Sequence, residues 1–281
     1  MTTNFIMQAP DIARATLDMF ASRTRAGAII PFGAGTPAAY CFPQVAPDDT
    51  LLEAAAQAGC DAAFVPGDRR LNQVRLVAMD MDSTLITIEC IDEIADMQGI
   101  KPEVALITAA AMRGEIEFAE SLRRRVSLLA GLPVAALERV YDERLRLSPG
   151  AERMLTGFAA VGAKTALLSG GFTFFTDRLK ARLNLDYTMS NTLDIADGKL
   201  TGGIAGPIVD AAVKAAALRR LKLEHAGSEG LAVAIGDGAN DLPMLAAADV
   251  SVAYHAKPVV RAQAQYAIDH CGLDGVLNLF A

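Results

Sequence analysis

Residues 75–85, RLVAMDMDSTL, limit more than any other stretch what this chain can fold into. The apolar run Leu76-Val77-Ala78-Met79 shows no alternation, which reads as a buried strand of a parallel sheet. Two carboxylates, Asp80 and Asp82, follow at once, and then the hydroxyls of Ser83 and Thr84. A carboxylate at the end of a buried strand is costly unless it is paired or on a metal, so two on nearly adjacent backbones call for a cation. Residues i and i+2 of an extended segment project to one side. Asp80 and Asp82 can therefore meet one substrate from different angles, one as nucleophile and the other as proton donor. The plainer alternative is an Asp-rich corner that only caps the next turn.

Composition narrows the function classes. Of 281 residues, 52% are hydrophobic and 21% charged, which suits a folded chain with a full core. The net charge of -7, without a long basic run, disfavours general nucleic-acid binding. A locally basic pocket for an anionic small molecule stays open. No apolar run reaches transmembrane length, and the start MTTNFIMQAPD lacks the marks of a signal peptide. The four cysteines form no CxxC and His225, His255 and His270 no zinc spacing. Free thiols suit a reducing compartment, so the expectation is a cytoplasmic protein with no membrane partner.

In chain order, residues 1–72 read as a small accessory domain. Helices are expected at 11–23 and 49–58, the second capped by Asp49, with Gly-, Pro- and Ala-rich loops and one or two short strands at 27–47 and another strand at 62–65. No catalytic constellation lies there. After the opening strand, 88–147 reads as three to four short helices broken at Gly99, Gly114 and Gly131-Leu132-Pro133, a bundle inserted between two strands as a cap. From 148 to 281 strands alternate with helices, and Asp197-Gly198 marks a hairpin. The catalytic core is then 73–87 with 148–281, an α/β fold with a parallel sheet and helices on both faces. Its ligands should sit at the carboxyl ends of the strands.

Three expected strands end in chemically loaded turns. The first presents Asp80 and Asp82. The second ends at Ser169-Gly170-Gly171, a hydroxyl and free N–H groups at a helix start, which suits an anion. The third ends in GDGANDLPML, which sets Asp237, Asn240 and Asp241 on a tight glycine turn fit for a hard cation. Lys214, early in the helix after Asp210, would be an ordinary surface lysine alone. Among several carboxylates and an expected phosphate, a fixed cation is useful.

DMDST, Ser169, Lys214 and GDGAND, in that order on successive strand ends, resemble the haloacid dehalogenase superfamily of phosphotransferases over roughly residues 75–270. DMDSTLI followed by Glu89, the cap with Arg125, LLSGGF and GDGANDLPML look most like its phosphoserine phosphatase branch. The resemblance implies a Rossmann-like core with a helical cap, a Mg²⁺ requirement, and O-phospho-L-serine as small-molecule partner. It implies Asp80 as the nucleophile that becomes an aspartyl-phosphate, and Asp82 as the acid, then the base. It assigns Mg²⁺ to Asp80, Asp237 and the Asp82 carbonyl, with Asp241 behind, and the phosphoryl oxygens to Ser169, Gly170, Lys214 and Asn240.

For the serine moiety, Glu89 would pair with the ammonium and Arg125 would grip the carboxylate. Met112 and Phe118 would form apolar walls. Only the resemblance singles out Arg125 within the run Arg123-Arg124-Arg125. Two other readings compete: the same chemistry on a phospho-sugar or phosphohomoserine, and a non-catalytic module binding Mg²⁺ or an amino acid. Related bacterial enzymes carry an amino-acid-binding domain of βαββαβ order at this end, a pattern the helix-loop-helix reading of 1–72 does not match. Oligomeric state stays open, a homodimer included.

Overall fold

The computed structural model describes residues 2–33 and 38–280, so part of the expected loop stretch, 34–37, lies outside the described residues. The first sixty-odd residues build their own sheet. Its elements are β1 (Thr3–Ala9), α1 (Arg14–Thr24), β2 (Ile30–Phe32), β3 (Ala38–Phe42), α2 (Asp49–Gln57) and β4 (Asp61–Pro66). The strands are antiparallel in the order β2-β3-β1-β4. This is the βαββαβ order that the helix-loop-helix reading missed. The reason is local: β1 contributes consecutive buried residues, Phe5, Ile6 and Met7, and so shows no period of two. Phe5 and Met7 pack with Leu17, Phe20 and Leu51 on the helical side, whereas Ile6 joins Cys41, Ala63 and Val65 in the main core. The cap of α2 is Asp48, whose carboxylate accepts from Thr50 N at 2.9 Å, rather than the expected Asp49.

The second sheet is the scaffold of the site. β5 (Val74–Met79) leads into the helices α3 (Cys90–Met97), α4 (Lys101–Met112), α5 (Phe118–Ser127) and α6 (Ala135–Arg139). Then come α7 (Ala151–Ala160), β6 (Lys164–Phe172), α8 (Thr173–Leu183), β7 (Tyr187–Ala196), β8 (Lys199–Ala205) and α9 (Ala211–His225). The chain ends with β9 (Leu231–Gly236), α10 (Leu242–Ala247), β10 (Val250–Tyr254), α11 (Pro258–Arg261), β11 (Tyr266–Ile268) and a last helical turn at Leu273–Leu279. The strand order is β11-β10-β9-β5-β6-β7-β8, parallel except for the hairpin partner β8. Asp197 and Gly198 both have positive φ, as a two-residue hairpin turn of this hand requires.

β5 is central, between β9 and β6, so the three loaded turns stand side by side where the strand order switches direction. The inserted helices leave and rejoin the core at one point. Thr87 N donates to Arg146 O and Ser148 N to Leu85 O, each at 3.0 Å. A second tie holds them to the β7–β8 hairpin, where Gly131 N meets Leu200 O and Leu200 N meets Leu132 O, both at 2.8 Å.

One buried carboxylate clasps the two sheets together. Asp61, at the start of β4, accepts from the consecutive N–H groups of Asp269, His270 and Cys271 at 2.7–3.2 Å. Buried Gln8 of β1 accepts from Asn278 at 2.7 Å nearby. Hydrogen bonds to a charged acceptor are worth about 1.5–3 kcal/mol each, and orphaned buried N–H groups add their own cost. Asp61→Ala is expected to lower unfolding stability by about 3 kcal/mol or more. A chemical-denaturation midpoint shared with the unsubstituted protein would remove this clasp from the account.

Candidate active site

The site forms around one buried ammonium. Lys214, 1% exposed, lies in α9 one turn past Asp210, which caps the helix by accepting from Val213 N at 2.9 Å. Its Nζ stands 2.8 Å from Asp80 Oδ1 and 2.6 Å from Asp241 Oδ1. Burial alone would pull the lysine down, but the two carboxylates overcome it and hold it above its ordinary range, so it stays charged. Asp241 is held in turn: its second oxygen accepts from Asp237 N at 3.2 Å and Gly238 N at 3.0 Å. A Cβ at Gly236 would come within 2.6 Å of the Asp241 side chain, so only glycine lets this turn close.

Asp80, Asp237 and Asp241 bring ligand oxygens within 4.8 Å of one another. Burial and the charges of Asp241 and Asp80 push Asp237 up to about 7. Burial and Asp80 push Asp241 up to about 6 against the pull of Lys214. One lysine therefore does not neutralise the cluster. Asp80 Oδ1, buried, has the lysine as ion-pair partner but no hydrogen-bond donor aligned on it. Three hard oxygen donors with surplus negative charge fit a divalent cation of the Mg²⁺ type.

Asp82 behaves differently from Asp80. Its Oδ1 accepts from Cys90 N at 2.9 Å. Burial, then the charge of Glu89, raises Asp82 well above the usual carboxylate range, which suits a carboxylic acid able to donate a proton. Ser83 adopts a left-handed φ of 55° and donates to Glu89 Oε1 at 2.7 Å. That bend turns the chain from β5 toward the helices and keeps Glu89 beside the carboxylates.

The turn after Leu168 brings Ser169 and Gly170 to the same edge. Ser169 Oγ accepts from Gly171 N at 2.9 Å, and a Cβ on Gly171 would lie 2.7 Å from Asp82 Oδ2. Phe118, at the start of α5, lies over Gly170, its ring 3.1 Å from where a Cβ would stand. Within the arginine run, Arg123 and Arg124 are exposed, and Arg124 pairs with Glu120 at 2.7 Å. Arg125 is half-buried with a buried Nε that has no hydrogen-bond partner, and it feels Asp92, Glu89 and Asp82. Asn240 is half-buried and donates to Asp241 Oδ1 at 3.3 Å.

The structure thus gathers Asp80, Asp82, Lys214, Asp237, Asp241, Ser169, Gly170, Asn240, Glu89, Phe118 and Arg125 around one edge of the sheet. It does not gather Met112. That side chain, at the end of α4, is 66% exposed and forms no wall in this conformation. Two further residues belong to the site. Buried Thr84 donates to Asp237 Oδ1 at 3.2 Å, and Asn191, fully buried in β7, donates to Gly170 O at 2.8 Å. Thr84 closes the first motif, DMDST, where the sequence marks its hydroxyl without a role. Asn191 carries no local signal.

The chain is similar to known proteins in sequence and in fold. Residues 77–246 match the model of the haloacid dehalogenase-like hydrolases. A phosphoserine phosphatase of Polaromonas sp. is 54% identical over 221 residues, 75% of this chain and 92% of the relative. The crystal structure of a haloacid dehalogenase family hydrolase from Salmonella enterica serovar Typhi superposes with a TM-score of 0.88 at 37% identity, covering 100% of this chain and 99% of that one. A phospho-aspartyl intermediate analogue of a phosphoserine phosphatase superposes with a TM-score of 0.68 at 37% identity, over 74% of this chain and 99% of the other.

The raised carboxylates carry a pH signature. A carboxylate whose folded value exceeds its unfolded value of 3.8 binds more protons when folded, so its stabilising contribution is lost as pH rises. Cation-free protein should therefore melt at steadily lower temperature as pH climbs from about 4 to about 7.5. Saturating Mg²⁺ should flatten that slope, and so should Asp237→Asn without the cation. An Asp237→Asn slope as steep as the parent's refutes this electrostatic reading.

Proposed function

The chain belongs to the haloacid dehalogenase-like hydrolase family, and from that premise we propose that it hydrolyses O-phosphoserine to serine and phosphate, the last step of serine biosynthesis, through an aspartyl-phosphate on Asp80. The observation that carries the substrate is that Glu89 and Arg125 both stand near the carboxylates, close enough to feel each other's charge. The half-buried arginine keeps an unpaired Nε–H, as a carboxylate-bearing ligand would require. A phospho-sugar lacks the ammonium and carboxylate those two side chains match.

Lys214, 2.8 Å from Asp80 Oδ1, holds that side chain in place and aims it. Asp80 attacks phosphorus as the ester P–O bond breaks, and the carboxylic acid of Asp82 gives its proton to the departing serine oxygen. Asp82, now a carboxylate, takes a proton from water, which attacks the phosphorus of the aspartyl-phosphate. The bond to Asp80 breaks and inorganic phosphate leaves. Ser169, the Gly170 N–H, Lys214 and Asn240 hold the phosphoryl oxygens through both steps. Asp80, Asp237 and the Asp82 carbonyl would hold Mg²⁺, with Asp241 orienting its surroundings. Bound there, the ion would neutralise charge shared between the nucleophile and the phosphoryl oxygens. The inserted helices, with Phe118 over Gly170, exclude bulk water from the reacting atoms. Four buried free cysteines are in keeping with a reducing, cytoplasmic setting.

Phosphate release from a panel of phosphomonoesters, with and without EDTA, tests the reading. O-phosphoserine is expected to be the best substrate, with activity lost in EDTA and restored by Mg²⁺. Arg125→Ala is expected to cost about 10²-fold in kcat/KM on phosphoserine and much less on p-nitrophenyl phosphate. Equal losses on both would take the carboxylate grip away from Arg125. Preference for a phospho-sugar would overturn the substrate assignment.

A further inference from the structure

The turn that carries Ser169 and Gly170 exists because two neighbouring strands fall out of step. β6 and β7 pair in register from Ala166 with Tyr187 to Leu168 with Met189, and again at Phe172 with Asn191. Three residues, Ser169-Gly170-Gly171, thus face a single one, Ser190. The surplus bulges out of the ladder, which is how a strand re-aims its groups toward a site. A bulge of this kind leaves backbone groups to be satisfied by something other than the ladder.

Asn191 supplies that bond. Its side chain is fully buried, its Nδ2 donates to Gly170 O at 2.8 Å, and its Oδ1 accepts from Val209 N at 2.8 Å. Val209 precedes Asp210, the cap of α9, and Lys214 N closes the first turn of that helix on Asp210 O at 3.0 Å. One side-chain amide therefore joins the turn bearing Ser169 and Gly170 to the root of the helix bearing Lys214. Both halves of the amide are committed, so rotating it would set oxygen against oxygen and N–H against N–H.

We propose that Asn191 is a positioning residue: it fixes the spacing between the two arms, Ser169-Gly170 and Lys214, that grip the phosphoryl group. This rests on the assignment of a phosphoryl group to those arms. The clamp acts on the phosphate end of the ligand and is indifferent to the leaving group, which separates it from Arg125 and Glu89. Asn191→Asp keeps the size and the acceptor toward Val209 N but replaces the donor toward Gly170 O with an oxygen. Asn191→Ala removes both bonds.

The test uses the full chain with Mg²⁺. It measures inorganic phosphate binding by calorimetry, and kcat/KM on phosphoserine, phosphoethanolamine and p-nitrophenyl phosphate. In both variants phosphate binding should weaken about tenfold, the size of a lost hydrogen bond. kcat/KM should fall on the order of 10²-fold for all three esters, as expected when groups are misplaced by about 1 Å. The ratios between substrates should hold. A variant that melts earlier but binds phosphate as tightly as the parent reduces Asn191 to a structural residue and overturns the proposal, as does a loss confined to phosphoserine. If the unsubstituted protein binds phosphate but does not hydrolyse phosphoserine, the substrate assignment fails while the calorimetric comparison still judges the clamp.

Discussion

A single ammonium, buried between two carboxylates, is the constraint to which the rest of this molecule answers. Lys214 reaches Asp80 and Asp241 from a helix far along the chain. Taking those charges out of water costs several kcal/mol per ion, repaid only where geometry is good and every remaining lone pair has a partner. The surrounding structure meets that demand at Asp241 and Asp237, and leaves Asp80 Oδ1 with the lysine alone. Backbone N–H groups of Asp237 and Gly238 bind the second oxygen of Asp241, and Thr84 binds Asp237. The cluster still carries more negative charge than one lysine balances. That surplus fits a bound cation, and two residues past Asp80 stands Asp82, which burial raises well above the usual carboxylate range.

The sheet order brings these groups together. Because β5 lies between β9 and β6, side chains more than 150 residues apart share one edge without a long loop. The inserted helices are tied twice, at their root near Ile86 and Leu147 and at the β7–β8 hairpin near Pro133 and Lys199. Phe118 and Arg125 are held over the strand ends by those ties. The strand that begins the hairpin also carries Asn191, so the roof and the floor of the site share one element.

What was legible in the sequence was whatever chemistry is written locally. Apolar runs ending in Asp or Ser-Gly-Gly, glycines that let Asp241 pack under Gly236, and the Asp-Gly hairpin turn all announce themselves within a few residues. The strand–helix alternation followed from the same signals. What escaped notice works at long range. Asp61 clasps N–H groups more than 200 residues away, and Asn191 bonds two loops that no motif connects. β1 escaped because burial of successive residues erases the alternation that marks a strand. Met112 was named by resemblance alone, and its exposed position shows that a motif transfers residue type more safely than it transfers packing.

The whole account comes down to the fate of one side chain. Acid-quenching the enzyme during turnover of phosphoserine with Mg²⁺, followed by peptide mass mapping, reads it directly. The phosphate should sit on Asp80, and no adduct should form in Asp80→Asn. Phosphate found on another residue, or normal turnover by Asp80→Asn, would contradict the account at its root.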